Sequence, residues 1–213
     1  MNGAWPDWLV AAQPLLAPAF VLWSSPVTWL EIVAFVLGVG MVLCNLRVNA
    51  AGWPLAIASS LLYAMLFADS KLYGEASLQI FFVVIAAWGW WQWLRGTDGT
   101  GQRLQVGRMP PRDRMLAAAA TLAAWPLLGM LLARGTDSDV PFLDALPTVA
   151  SVTGQILLGR KRIENWAVWL LVNVFSVGLF AYKGLWLTVL LYAVFALLSV
   201  LGWRAWRAKA AHG

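Results

Sequence analysis

"LRVNAAGWPLAIASSLLYAMLFADSKLYGEASLQIFFVVIAAWGWWQW", residues 46–93, recurs without a gap 113 positions later as "GRKRIENWAVWLLVNVFSVGLFAYKGLWLTVLLYAVFALLSVLGWRAW", residues 159–206. Arg47 falls on Arg160, Trp53 on Trp166, Leu66-Phe67-Ala68 on Leu179-Phe180-Ala181, Leu72 on Leu185 and Phe82 on Phe195. The two GWxxW runs, Gly89–Trp93 and Gly202–Trp206, superpose, and Glu31 falls on Asp144. Leucine and alanine coincide by chance in apolar sequence; paired tryptophans in register do not. The chain is therefore an internal duplication.

What is duplicated is apolar. The 213 residues are 61% hydrophobic and 12% charged, with mean hydropathy +0.71. A soluble domain carries about 25% charge, so the natural solvent of this chain is lipid. A bilayer-spanning helix needs about 20 mainly apolar residues. Seven segments qualify: 27–46, 52–68, 72–94, 115–133, 141–159, 165–182 and 185–206. Residues 8–23 are apolar but short and carry Pro14 and Pro18. Proline removes a backbone donor, which predicts an interfacial or loosely packed segment. The first residues, "MNGAWPDW", have no positive n-region of a cleavable signal.

The expected fold is an all-α membrane protein of seven transmembrane helices. Residues 27–94 and 141–206 form two three-helix repeats, and 95–140 supply a basic loop and a linker helix; an interfacial segment (1–26) and a tail (207–213) flank them. One intervening span makes both repeats start on the same side. They are then parallel, related by an axis along the membrane normal, an arrangement known in transporters that bind cargo between halves.

Charge placement orients the bundle. With loops numbered alternately, twelve of the fifteen Lys and Arg fall on one side: Arg47, five arginines in 95–114, Arg160-Lys161-Arg162, Arg204, Arg207 and Lys209. Lys71, Arg134 and Lys183 fall on the other. The positive-inside rule places the C-terminus in the cytoplasm, and the +5 net charge is an orientation signal rather than a nucleic-acid surface. Both GWxxW runs end a span beside this charge, where indoles favour the headgroup boundary. Trp88, Trp91, Trp93 and Trp206 are accordingly expected in a membrane-interface belt. Trp90 and Trp203 follow glycines that permit close helix contact.

Polar groups within spans usually face the bundle interior, and here they align at helical spacing. The stripes are Glu75, Gln79, Phe82, Ala86, Trp90; Asp144, Thr148, Ser151, Gln155; Asn165, Trp169, Asn173, Ser176; and Thr188, Tyr192, Phe195, Ser199. They predict a polar, aromatic-lined cavity. Asn173 lies about 12 Å beyond Asn165 at 1.5 Å per residue, near the midplane. The repeat pairs Gln79 with Tyr192 and Ser60 with Asn173, so equivalent places carry different chemistry, as an asymmetric ligand needs. Interhelical hydrogen bonding is the competing use of such groups. Glu75, Asp144 and Glu31 sit near span ends, where they could simply anchor span starts. One histidine, His212 in the tail, and one cysteine, Cys44, leave no metal cluster, disulfide or catalytic triad to compose, and no cofactor is expected.

"KLYGEASLQIFFVVIAAWGWWQW" and "ENWAVWLLVNVFSVGLFAYKGLWLTVLLY" resemble the two signature regions of the bacterial nicotinamide riboside transporters, the PnuC family. The resemblance covers residues 27–206 and rests on the KLYG turn at 71–74, Gly89-Trp90, the NWxxW run at 165–169 and the KGL turn at 183–185. Asn173 stands where many members carry aspartate, and Gln79 where asparagine is frequent. The resemblance implies an inner-membrane, SWEET-like bundle, often a homotrimer. Such a bundle carries nicotinamide riboside by facilitated diffusion, with cytoplasmic phosphorylation trapping the cargo. Nicotinamide riboside joins a cationic pyridinium ring to a hydroxyl-rich ribose. Indole faces attract such a cation, and amides can bond its carboxamide or hydroxyls. The candidate substrate-binding residues are Gln79, Phe82, Trp90, Asn165, Trp166, Trp169, Asn173 and Tyr192. A transporter of the same architecture for thiamine, riboflavin or a sugar, or a polytopic membrane protein with no transport role, would be the alternatives.

Overall fold

The computed structural model describes residues 14–15, 17–22, 25–69, 73–135, 140–182 and 186–211. It comprises a short hairpin, β1 (Pro18–Leu22) and β2 (Ser25–Thr28), and seven helices. These are α1 (Trp29–Leu46), α2 (Gly52–Asp69), α3 (Tyr73–Arg95), α4 (Pro111–Gly135), α5 (Pro141–Gly159), α6 (Asn165–Tyr182) and α7 (Trp186–Ala211). Six are long and apolar enough to cross a membrane, while the apolar stretch of α2, Gly52–Leu66, is shorter. The chain is a multi-pass membrane protein.

The hairpin gives the end of the N-terminal segment a form that the sequence left open. β1 and β2 pair antiparallel, Phe20 opposite Val27 and Leu22 opposite Ser25. Pro18 and Pro26 cannot donate to a helical ladder, and a two-stranded ribbon tolerates them because each strand is an edge. Residues 1–13, 16 and 23–24 of the predicted interfacial segment lie outside the described residues. Thr28 then starts α1 with a capping box: its hydroxyl accepts from Glu31 N–H (3.2 Å), and Glu31 Oε2 accepts from Thr28 N–H (2.7 Å).

Consecutive helices pack as neighbours from α1 to α3 and from α4 to α7, and α1 also packs on α7 and α3 on α5. The two cross-contacts are equivalent under the 113-residue offset. The offset holds in detail at the turns. Val48 and Lys161 both adopt left-handed backbone, φ 58° and 52°. Val48 N–H donates to Asn45 carbonyl (3.0 Å), as Lys161 N–H does to Leu158 carbonyl (2.9 Å). Asn49 N–H and Arg162 N–H reach the equivalent Cys44 and Leu157 carbonyls, each at 2.9 Å.

The core lies at this basic end. Trp53 and Trp93 meet edge-to-face at 5.5 Å and 85°, and their counterparts Trp166 and Trp206 at 5.5 Å and 87°. Trp93 Nε1–H donates to Leu158 carbonyl at 3.0 Å, and Trp206 Nε1–H donates to Asn45 carbonyl at the same distance. Each indole thus reaches the equivalent carbonyl of the opposite half. The belt expectation fails for these two residues: Trp206 is fully buried and Trp93 nearly so. The reason is the glycine in each GWxxW. Trp53 lies flat against Gly89 and Trp166 against Gly202, which draws the helices close enough to enclose the next turn. Trp88 is half-buried against Gly159, while Trp91 remains exposed.

The loop 96–110 is ordered rather than a loose linker. Asp98 folds its tip by accepting from Thr100 and Gln102 N–H. Gly107 then pairs with the turn before α6, donating to Lys161 carbonyl and accepting from Ile163 N–H. Glu164 completes the join, accepting from Met109 N–H (3.1 Å) and pairing with Arg114 (3.1 Å). The start of α6, which carries the NWxxW run, is thereby held from outside the bundle.

Candidate functional site

Between α1, α2, α3, α5, α6 and α7 lies a cavity of about 500 Å³, within the range of roughly 300–1,000 Å³ usual for small-molecule sites. Seven of the eight predicted site residues line it: Gln79, Phe82, Asn165, Trp166, Trp169, Asn173 and Tyr192. Trp90 does not; it is 37% exposed. Depth along the helix explains the miss. Of α3 only Gln79 and Phe82 reach the cavity. Trp90 lies about 16 Å beyond Gln79 at 1.5 Å per residue, at the end of the bundle that the tryptophan core occupies.

The α6 stripe supplies most of the chemistry. Asn165 is fully buried, and its amide donates to Arg162 carbonyl while Oδ1 finds no partner among the described residues. Trp166 is also buried, its Nε1 without a partner among the described residues, and it lines the cavity as part of the tryptophan core. Trp169 is half-buried, and its indole lies against Gly154 of α5, whose missing side chain leaves room for it. Asn173 Nδ2 donates to Ser199 Oγ at 3.1 Å, and the Ser199 hydroxyl donates to Phe195 carbonyl at 2.8 Å. This relay orients the amide and leaves Asn173 Oδ1 available as an acceptor. Ser176, at the end of the stripe, is buried away from the cavity.

Opposite stands an aromatic wall. Tyr192 stacks on Phe180 (5.2 Å, 21°) and meets Phe195 edge-on (6.2 Å, 82°). Ser151 and Gln155 of the α5 stripe also reach the cavity, whereas Asp144 and Thr148 do not line it. The side chains of Glu75 and Thr188 lie outside the described residues. Sequence reasoning missed Tyr63, Phe35 and Asn45 and placed Glu31 as a mere anchor; all four line the cavity. Glu31 is the one carboxylate among the described lining residues. Asn45 Oδ1, like that of Asn165, is buried without a partner among the described residues. The repeat match to Asp144 suggested only that Glu31 anchors its span start; the structure has it both close the capping box of α1 and line the cavity.

The sequence model of the family described as "Nicotinamide mononucleotide transporter" matches residues 28–208. The chain belongs to this family. Among its relatives, the nicotinamide riboside transporter PnuC of Escherichia coli is 24% identical over 203 residues, covering 84% of this chain and 85% of that protein. PnuC of Neisseria mucosa is 26% identical, covering 93% and 79%. The riboflavin/roseoflavin transporter RibM of Streptomyces davaonensis is 29% identical, covering 90% and 91%. The crystal structure of a vitamin B3 transporter, PnuC, superposes with TM-score 0.73 at 24% identity, covering 99% of this chain and 94% of that one. The family fold extends over the whole bundle, and family members differ in cargo. No group of three or more potential metal ligands occurs among the described residues.

Proposed function

We propose that this protein takes up nicotinamide riboside by facilitated diffusion across the bacterial inner membrane, with cytoplasmic phosphorylation retaining the cargo. The observation that carries the reading is the cavity itself, whose lining combines the aromatic rings of Trp169 and Tyr192, the amides of Gln79, Gln155 and Asn173, and the carboxylate of Glu31. A desolvated pyridinium is attracted to an indole face by about 2 kcal/mol or more, and a carboxylate adds attraction for a cation. Relatives named as nicotinamide riboside transporters support the same cargo.

The helices are read as two parallel three-helix halves, α1–α3 and α5–α7, joined by α4. Support comes from the reciprocal bonds Trp93 to Leu158 and Trp206 to Asn45, which an axis along the membrane normal interchanges. Among the described lining residues there is no carboxylate pair, so transport proceeds without a coupling ion. The assembly is a homotrimer with a cytoplasmic C-terminus.

Riboflavin is the second reading, because RibM covers the chain at 29% identity. Its isoalloxazine is larger and uncharged, so it offers Glu31 no cationic partner. In proteoliposomes, counterflow of labelled nicotinamide riboside should proceed with no ion gradient and resist competition by riboflavin, thiamine or nicotinamide mononucleotide. Accumulation that requires a proton or sodium gradient, or competition by riboflavin, would overturn the uncoupled mechanism or the cargo respectively.

A further inference from the structure

A second cavity of about 570 Å³ opens at the basic end of the bundle, lined by Val48, Leu104, Gln105, Val106, Lys161, Ala208 and Lys209. The transport reading leaves it without a role. Its walls are apolar, its charged groups are two lysines, and no acidic residue lines it. Lys161 is the inner of the two. It is half-buried, donates to Leu104 carbonyl at 3.0 Å and sits 5.3 Å over the Trp93 ring. It stands, in left-handed backbone, in the turn with which loop 96–110 pairs. Burial and the like charges of Lys209 and Arg103 hold its ammonium below the usual lysine range. A half-buried ammonium whose charged neighbours are cations gains from a bound anion, which would offset that repulsion.

We propose that this pocket is a phosphate-group site, with Lys161 and Lys209 clamping the phosphate and Val48, Leu104, Val106 and Ala208 receiving an apolar portion of the ligand. Two sources share that chemistry: the headgroup of an anionic lipid and a soluble phosphomonoester. Basic pockets at helix ends hold lipid phosphates in other membrane proteins. The Val48 counterpart explains why one such site exists rather than two. The turn of the first half has the same backbone but places valine where the second half places Lys161.

The test uses full-length protein purified in neutral detergent and two probes, a short-chain phosphatidylglycerol and adenosine monophosphate, with phosphatidylcholine as control. Binding is read by native mass spectrometry for the lipid and by calorimetry for the nucleotide. At least one phosphate probe should bind saturably where phosphatidylcholine does not. K209Q, on the exposed end of α7, should weaken it about fivefold, as should K161Q. Binding of the lipid alone assigns the site to a headgroup, and binding of the nucleotide alone assigns it to a soluble ligand. Should neither probe bind, or should both variants bind like the parent, the site does not exist. K209Q decides alone if K161Q fails to fold.

Discussion

Trp206 and Trp169 are indoles one helix apart whose substitutions should do opposite things. Trp206 is fully buried, and its N–H reaches Asn45 carbonyl at 3.0 Å. Trp206→Phe keeps most ring contacts and deletes that bond, with a net loss of about 1 kcal/mol. Thermal unfolding in detergent should shift down while ligand affinity stays at the parental value. Asn173→Leu should do the reverse: it breaks the relay through Ser199 and leaves a ligand group unpaired, weakening binding by about 1–3 kcal/mol. Calorimetric titration of the two variants checks both. Side chains also mark the limit of what sequence alone revealed. The polar stripes located Gln79, Asn165, Trp169, Asn173 and Tyr192 because helical period fixes which residues share a face. Tyr63 stayed hidden because one phenol in a mostly apolar helix makes no stripe, and Glu31 was read only as an anchor because it stands at the start of its span. Trp93 and Trp206 were misread because an indole next to positive charge signals a membrane interface unless a glycine one turn away brings in a covering helix.

Helices here are set by glycine–tryptophan contacts, and the two halves use the same one. A Cβ at Gly202 would fall 2.5 Å from Trp166 ring carbons, too close for any real contact. Gly202→Ala must therefore push α7 from α6 or turn the Trp166 ring into the cavity, and overpacking of this kind costs about 1–3 kcal/mol. Gly178→Ala is the matched control, with nothing within 4 Å of its Cβ. Melting curves should show a clear drop for Gly202→Ala and none for Gly178→Ala; equal behaviour would mean the Trp166 contact is not tight. Seven helices were legible because each carries its own apolar run between polar turns. The hairpin at Pro18–Thr28 was not, since an apolar, proline-bearing stretch excludes a regular helix without specifying what replaces it. The order of loop 96–110 was equally hidden, because it arises from Gly107 and Glu164 pairing across more than fifty residues.

At the scale of the whole molecule, charge and duplication carry the account. The basic residues at the ends of α1, α3, α5 and α7 share one end of the bundle, which the proposed orientation places in the cytoplasm. A reporter fused after Gly213 should be active only as a cytoplasmic fusion; periplasmic activity would reverse the bundle and the direction of every loop. The duplication was readable from the 113-residue offset alone, and paired tryptophans, turns and cross-bonds all follow it. Cargo was less legible. Family membership fixes a transporter fold, and relatives carry different vitamins on it, so the decision lies in a few cavity side chains.

The most direct test of the central claim, that this cavity binds nicotinamide riboside with Trp169 as its stacking platform, is calorimetric affinity on monodisperse parent and Trp169→Ala protein. The parent should bind nicotinamide riboside in preference to riboflavin. Loss of the indole should weaken binding by about 1–3 kcal/mol, roughly 5- to 150-fold, with folding intact because Trp169 is only half-buried. Parental affinity in folded Trp169→Ala protein would contradict the assignment of the platform, and no binding of nicotinamide riboside by the parent would contradict the account as a whole.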